Sequence, residues 1–537
     1  MPPDELGAAS DLDDTDIAAT LERPLPRSLP VGRGTAVFCY GHLFHRRLAV
    51  KRLEIEVDGR RHHVSAARMP RLDVVGALHP ALRPEQLAAA EPDPDSAEDP
   101  ELRSYRSGFW ATVPIEGRDA PGSIALSARA RLADGSEASA ELGVIEVVDP
   151  APAPTYELPG AGGPIAICMA TYEPDAELFR AQVESLRGQT ETNWMCLISD
   201  DCSTDERFEA IVDAVGDDPR FVVSRSTHNR GFYLNFERAL RMVPAESELV
   251  ALCDQDDRWY PEKLAVLRDA IGTAELVYSD QRLVDPAGRV LRDTFWEGRR
   301  NNHTNLASLV IANTIVGAAS LFHRRLLDVA LPFPEGVGWE FHDHWLGMAA
   351  LATGEIAYVD RPLYDYVQHP DAVLGKVSGV AGDRPWWRPD PRRIRGAFGR
   401  WRAAYFLGYL PLEVQVEALV VRCGRRLTGR KRRTLRRYLA ASRSPLAFAW
   451  LAGRPLRELL GHNETLGTES VLARGILWRH LLPLRIRGRA KPRGAAYDAS
   501  LPSPYSFEQR RLRRWQARII AEAVAGAPAP PRGREGS

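Results

Sequence analysis

From residue 164 onward, short apolar runs alternate with amphipathic stretches of helix length, and this alternation restricts the fold more than any other feature of the chain. Residues 165–171, 194–199, 221–224, 249–253 and 276–279 read as strands. Residues 176–187, 205–215, 233–242 and 261–271 read as the helices between them. Apolar strands without polar alternation, each followed by a helix, predict a doubly wound α/β layer with a mostly parallel sheet. In such sheets ligands lie beyond the carboxyl ends of the strands, so those ends are where chemistry is to be sought.

The flanking regions read differently. Leu53, Ile55 and Val57 alternate with charged residues and stop at Asp58-Gly59. Ile124, Leu126, Ala128, Ala130 and Leu132 do the same and stop at Asp134-Gly135. Period-two patterns closed by such turns predict an antiparallel β-sandwich over residues 28–150, with the acidic, Pro-containing stretch 91–101 as a long loop inside it. Residues 1–27 read as a disordered tail and 151–163, rich in Pro, Gly and Ala, as a linker. The α/β layer then occupies 164–375, a basic helical region 376–525, and a second disordered tail 526–537. Three folded units suit a chain of 537 residues.

Charge sharpens the division. The whole chain has a net charge of −1, yet residues 376–537 hold 34 Lys and Arg against 11 Asp and Glu. That surplus predicts an electrostatic partner: an anionic membrane surface, nucleic acid, or the acidic remainder of the chain. The six cysteines show no C-x-x-C spacing, so they read as reduced, mostly buried thiols in a cytosolic protein. No secretory signal is visible, and no stretch reaches the ~18 to 20 apolar residues of a membrane span. The nearest, 306–322, is interrupted by Asn313, Thr314 and Gly317.

Three strand ends are polar or acidic: Thr171-Tyr172-Glu173, Asp200-Asp201-Cys202-Ser203-Thr204-Asp205, and Asp254-Gln255-Asp256-Asp257. Carboxylates gathered at one sheet edge repel one another unless a cation compensates, and hard oxygen donors favour Mg²⁺ or Mn²⁺. Such a metal would bridge the phosphates of a nucleotide. The plainer reading of 200–205 is a helix N-terminus, with Asp205 placed by the helix dipole.

These strings, in this order, resemble the family 2 inverting glycosyltransferases of GT-A fold: a T-Y-N-like strand end, then DDxSxD, then D-x-D, then an acidic residue in His342-Asp343-His344-Trp345. The fuller Cys253-Asp254-Gln255-Asp256-Asp257-Arg258-Trp259, with Lys263 after it, and Tyr366-Val367-Gln368-His369 look like the bacterial rhamnosyltransferase branch. The resemblance covers about 210 residues and implies a GT-A (Rossmann-like) catalytic domain between the sandwich and the basic helices. It implies that Asp200 or Asp201 binds the base or ribose, with Thr171, Tyr172, Glu173 and Gln255 in the same nucleotide-sugar pocket. Glu173 stands where the family usually has Asn. Asn229-Arg230-Gly231 matches the family's N-x-G loop. Asp256 would hold the metal most directly, Asp254 would share the metal and the ribose, and His369 would be a further ligand. Asp343 would be the general base, since inverting transfer needs one carboxylate and no covalent intermediate. His342 and His344 read as supporting or surface residues, because H-d-H is not a zinc spacing.

The implied reaction is metal-dependent transfer of a sugar, L-rhamnose from dTDP-rhamnose first, to a cell-surface glycan or a polyprenyl-diphosphate-linked acceptor. It would take place in the cytoplasm, peripherally at the inner face of the plasma membrane, with the basic helices touching anionic lipid and no nucleic acid bound. The order of the three units also resembles the galactofuranosyltransferases of mycobacterial cell-wall synthesis, which leaves UDP-galactofuranose as an alternative donor. A non-catalytic carbohydrate-binding scaffold is the non-enzymatic rival; Tyr40, Phe109 and Trp110 would be either its sugar face or sandwich core. A nucleotidyltransferase lacks its Gly-rich loop after the first strand, and neither a phosphate-binding G-x-x-x-x-G-K-[ST] nor a G-x-S-x-G elbow is present.

Overall fold

The structure, a computed structural model, describes residues 16–82, 96–156, 163–334, 340–368, 397–424 and 426–487. Nine strands come first: β1 (Ile17–Leu21), β2 (Ser28–Pro30), β3 (Thr35–His45), β4 (Val50–Val57), β5 (Arg60–His63), β6 (Ala66–Met69), β7 (Gly108–Ile115), β8 (Gly122–Leu132) and β9 (Glu137–Val148), with a short helix α1 (Leu72–Leu78). They form a four-stranded sheet, β1-β3-β7-β6, facing a five-stranded sheet, β2-β9-β8-β4-β5, antiparallel except for the β2–β9 pair. The alternation in β4 and β8 arises because one face of each packs inward, with Ile55, Leu126, Ala128 and Ala130 fully buried.

Residues 17–21 correct the expected N-terminal tail, since β1 pairs antiparallel to β3 from Ile17–His45 to Leu21–Gly41. Strands β3 and β7 carry no alternation because both of their faces are covered. Val37, Cys39, Phe109 and Ala111 join the sandwich core, whereas Phe38, Tyr40 and Trp110 join the core shared with the C-terminal helices. Tyr40, Phe109 and Trp110 are therefore core, at 1–3% exposure, and Trp110 Nε1 donates to Tyr405 Oη at 3.2 Å. The acidic stretch read as a long loop lies partly outside the described residues. Its Asp99 is buried and accepts from the Arg103 and Ser104 amides.

The second layer is a nine-stranded sheet built from β10 (Ile165–Thr171), β11 (Trp194–Asp200), β12 (Phe221–Arg225), β13 (Leu249–Cys253), β14 (Arg258–Trp259), β15 (Leu276–Val284), β16 (Val290–Arg292), β17 (Ser320–His323) and β18 (Ile356–Val367). Its order is β12-β11-β10-β13-β17-β15-β18-β14, with β16 on β15. Strands β10–β13 are parallel as expected, but β17 runs antiparallel between β13 and β15, so the sheet is mixed. Helices α2 (Ala176–Arg187), α3 (Asp205–Val215), α4 (Phe232–Arg241), α5 (Lys263–Ile271), α6 (Leu306–Ile311), α7 (Leu327–Ala330) and α8 (His342–Thr353) cover it.

The C-terminal region continues with α9 (Ala397–Ala403), a π-helical turn Ala404–Tyr409, α10 (Leu410–Cys423), α11 (Gly429–Ala440), α12 (Pro445–Gly453), a 3₁₀ segment Arg454–Leu460 and α13 (Thr468–Arg487). The continuous helix Arg400–Cys423 is long and apolar enough to cross a membrane by length and composition, which corrects the expectation that no stretch qualifies. Its charges, Arg400, Arg402, Glu413, Glu417 and Arg422, interrupt the apolar run without lowering its average enough. Most of it is buried inside the protein. Glu413 accepts from Thr112 Oγ1 at 3.2 Å, and Arg422 reaches the carbonyls of Gly34, Val329 and Ala330. A helix apolar all round and so engaged is a core helix. It joins the sandwich to the α/β layer. The basic stretch around residues 509–524 lies outside the described residues.

Candidate active site at the carboxyl edge of the mixed sheet

The parallel register sets Thr171 of β10 beside Asp200 of β11, and both strands stop there. Asp200 is fully buried. It accepts from Thr171 Oγ1 (3.2 Å), Ser203 N (3.0 Å) and Ser203 Oγ (2.5 Å), and Arg225 Nε lies 3.9 Å away. Asp201 is 1% exposed, and its two oxygens accept the backbone amides of Arg230 and Gly231, each at 2.8 Å. Both carboxylates, expected at the base or ribose, also hold loops in place. Asn229 belongs to the same clasp: its Nδ2 donates to the Asp201 carbonyl at 3.3 Å and its Oδ1 accepts from Gly231 N at 3.1 Å. Gly231 starts α4 at φ +81°, a conformation for which an L side chain pays in strain.

Glu173 explains its own oddity. It sits at φ +45°, in the left-handed region that Asn tolerates better than Glu. Its carboxylate compensates by accepting the amide of Thr204, the N-cap of α3, at 2.6 Å, and the Thr204 hydroxyl at 3.2 Å. Thr204 is the N-cap residue of α3 and Asp205 stands in its first turn, so the helix N-terminus expected within residues 200–205 is present, and Glu173 ties it to the end of β10.

Tyr172 is exposed and bound through its backbone to the loop after β13: its N–H donates to Gln255 Oε1 at 2.9 Å, and its carbonyl accepts from Gln255 Nε2 at 3.3 Å. Gln255 is the pin between the two strand ends, and Asp254 and Asp256 flank it. Burial first, then the charges of Asp256 and Asp343, push the Asp254 carboxyl up to about 7.

Asp343 reaches this edge from α8, where it occupies the first turn. Its Oδ1 accepts from the His344 amide at 2.6 Å and Asn313 Nδ2 at 3.0 Å. Burial outweighs these bonds and raises its carboxyl to about 7. Gly317 lets α8 approach β13. A Cβ there would stand 2.7 Å from His342 Nε2 and 3.5 Å from Asp343 Cβ. Replacing Gly317 by Ala is expected to lower turnover about tenfold by displacing Asp343, with nucleotide binding unchanged; steady-state rates beside thermal shifts check this.

His342 and His344 are buried, not on the surface. His342 stacks on Phe236 at 3.6 Å between ring centroids, and burial lowers it to about 3. His344 Nε2–H donates to the Leu309 carbonyl at 2.6 Å. Both are neutral supports of the α8 N-terminus.

Among the described residues no three His, Cys, Asp or Glu side chains converge to hold a metal ion. His369, expected as a third ligand, lies outside the described residues. The Asp254–Asp256 pair remains, two hard oxygen donors whose repulsion a divalent cation would relieve, and so it fits Mg²⁺ or Mn²⁺.

Three participants escaped sequence reasoning. Asn313 had only the signal of a polar break in an apolar run. Asp257 is fully buried behind the pair and accepts from Val367 N at 3.2 Å. Lys263, known only as part of a motif string, is fully buried with its ammonium 3.5 Å from the Trp259 ring and 4.3 Å from that of Tyr364, donating to the Ala318 carbonyl.

The family model for glycosyl transferase family 2 matches residues 166–330, the stretch from β10 to α7 that builds most of this edge. Those residues form a family 2 glycosyltransferase domain. The layer around it has the GT-A fold expected from the motifs. Over 128 residues the chain is 30% identical to the protein y4gI of Sinorhizobium fredii, covering 23% of this chain and 14% of that one. Over 103 residues it is 33% identical to the putative colanic acid biosynthesis glycosyl transferase WcaA of Escherichia coli, covering 19% and 36%. The alignments thus span well under half of either relative. Among solved structures, S. aureus TarS 1-349 in complex with UDP-GlcNAc is similar at 17% identity, over 61% of this chain and 92% of that one, with a TM-score of 0.36. The mannosyltransferase PcManGT from Pyrobaculum calidifontis, in complex with GDP-Man and Mn²⁺, is similar at 20% identity, over 62% and 89%, with a TM-score of 0.34.

Proposed function

We propose that this glycosyltransferase domain moves a sugar from a nucleotide-sugar donor to an acceptor hydroxyl with inversion. The observation that carries the reading is the convergence of Asp343, fixed by Asn313, on the Asp254–Asp256 strand end. Asp343 takes the proton of the acceptor hydroxyl as that oxygen bonds to the anomeric carbon. The bond from that carbon to the diphosphate breaks, and its electron pair leaves with the nucleoside diphosphate. A divalent cation held by Asp254 and Asp256, with His369 as a third donor, would neutralise the departing diphosphate. The clasp of Asp201 on residues 229–231, and Thr171, Tyr172 and Glu173 at the neighbouring strand end, would form the nucleotide pocket. Asp200 and Asp201 act there by fixing loops.

The string from Asp254 to Trp259 supports dTDP-rhamnose as donor, and the sandwich before and helices after the domain support UDP-galactofuranose as the second reading. The acceptor hydroxyl belongs to a cell-surface glycan or to a polyprenyl-diphosphate-linked acceptor at the inner membrane face.

Thermal shifts with nucleoside diphosphates and nucleotide sugars, with and without Mn²⁺, test the donor site. Ligand at about 100 times its dissociation constant is expected to stabilise the fold by roughly 2.7 kcal/mol, dependent on Mn²⁺. Asp256→Asn should abolish that dependence. No shift with any nucleotide on folded protein would leave the carbohydrate-binding scaffold as the better reading.

A further inference from the structure

The helices after the catalytic layer carry a surface that the transfer chemistry does not use. Between residues 426 and 460 the chain has ten Lys and Arg and one acidic residue, Glu458. Helix α11 turns Leu435 and Tyr438 inward, while Arg430, Arg433, Arg436 and Arg437 stand exposed along its outer side. Four of the ten are spent within the fold: Lys431 donates to the Gly354 carbonyl at the end of α8, Arg432 to that of Gly424, Arg454 pairs with Glu469 and Arg457 with Glu464. Helix α12 packs against α11, with the Arg437 guanidinium 4.9 Å from the centre of the Trp450 ring. One turn before Trp450, Leu446 is 82% exposed. In the 3₁₀ segment that follows, Leu459 and Leu460 are each 77% exposed. Leucines so exposed beside a tryptophan and a row of arginines form a contiguous apolar and cationic face, which a monomer in water has no use for.

This face is tied to the site. Just past Leu460, Asn463 Oδ1 accepts the Arg300 amide at 3.0 Å and its Nδ2 donates to the Gly298 carbonyl at 2.7 Å. Arg299 donates to the Glu464 carbonyl (3.0 Å) and to that of Asn313 (2.9 Å), and Asn313 holds Asp343. Hydrogen bonds thus run from residues 463–464, just past the exposed leucines, through Arg299 and Asn313 to the residue assigned as base.

We propose that the surface of α11, α12 and the 3₁₀ segment docks on an anionic lipid bilayer. Leu446, Leu459 and Leu460 enter the headgroup boundary, and Arg433, Arg436 and Arg437 meet the lipid phosphates. This deepens the membrane part of the function proposed above, but its test does not pass through catalysis.

The test is co-sedimentation of the full chain with vesicles of phosphatidylcholine alone and of phosphatidylcholine mixed equally with phosphatidylglycerol. Binding is expected on the anionic vesicles and to be at least tenfold weaker on the neutral ones. Each arginine near the surface is worth about fivefold in partitioning. The triple reversal R433E/R436E/R437E should therefore lower binding at least tenfold, and L446S/L459S/L460S should do so with the charge intact. Both variants alter exposed side chains, so unchanged thermal midpoints establish that they fold. Binding unchanged in both folded variants overturns the proposal. So does a wild-type dimer in light scattering that the leucine variant converts to monomer without vesicle binding by either, which assigns the face to a second copy. Retention on nucleic acid in place of vesicles overturns it as well.

Discussion

Asp343→Asn is expected to lower kcat by about a hundredfold to ten-thousandfold, the range a positioned general base contributes. The substitution keeps the size of the side chain and an oxygen for the bonds from His344 N and Asn313 Nδ2. It removes the capacity to hold a proton. The proposed donor pocket lies elsewhere on the edge, so the thermal shift with nucleoside diphosphate should stay within error of wild type. The pH dependence provides a second reading. Burial raises the Asp343 carboxyl to about 7. The base works only when ionised, so kcat/KM should fall as pH drops through about 7 and level above it. A variant with wild-type turnover and an unaltered acid limb would remove Asp343 from the chemistry.

Lys263→Met should give the largest loss of stability. The lysine is fully buried at the start of α5, where the helix dipole disfavours a cation. Burial drives its ammonium down to about 7, against the attraction of the Asp257 and Asp254 carboxylates. Two aromatic faces and the Ala318 carbonyl hold it in place. Methionine fills the volume of the stem but leaves that carbonyl without its donor and the buried carboxylates without their cation. Together these cost about 3 to 5 kcal/mol. Urea denaturation should show a lower midpoint at unchanged slope. The Asp254 loop loses its counter-charge too, so Mn²⁺-dependent nucleotide binding should weaken in whatever fraction remains folded. A midpoint equal to wild type would mean that Lys263 is merely tolerated.

The catalytic layer was legible because its signals are local. Residues 165–171, 176–187, 205–215 and 249–253 emerge in the structure within the bounds expected of them, since an apolar run or a helical stripe is written in consecutive residues. The sandwich could be read only from β4 and β8, whose single buried face leaves an alternation. Strands β3 and β7 lie between two cores, and the signal vanishes where both faces are covered.

The candidate site divides in the same way. The strand-end carboxylates and Asp343 stood out as residue types in order. What each does was not readable from type. Asp201 and Glu173 were expected to line the nucleotide pocket, and each also accepts backbone amides from loops 29 to 31 residues away in sequence. A carboxylate accepts from whatever donor the fold brings near, and that donor is decided by strand pairing. Asn313, which fixes Asp343, looked like an interruption of an apolar run for the same reason.

By itself, then, the sequence determined the alternation of strands and helices, the edge at which carboxylates collect and the basic character of the C-terminal part. Those depend on spacing and charge along the chain. Tertiary structure alone decided that β17 enters the sheet antiparallel, that the apolar helix Arg400–Cys423 is core, and that Asn313 and Gly317 set Asp343 against the Asp254 strand end. These depend on which distant segments share a buried volume, and burial there gives each polar group its partner and each carboxyl its proton affinity.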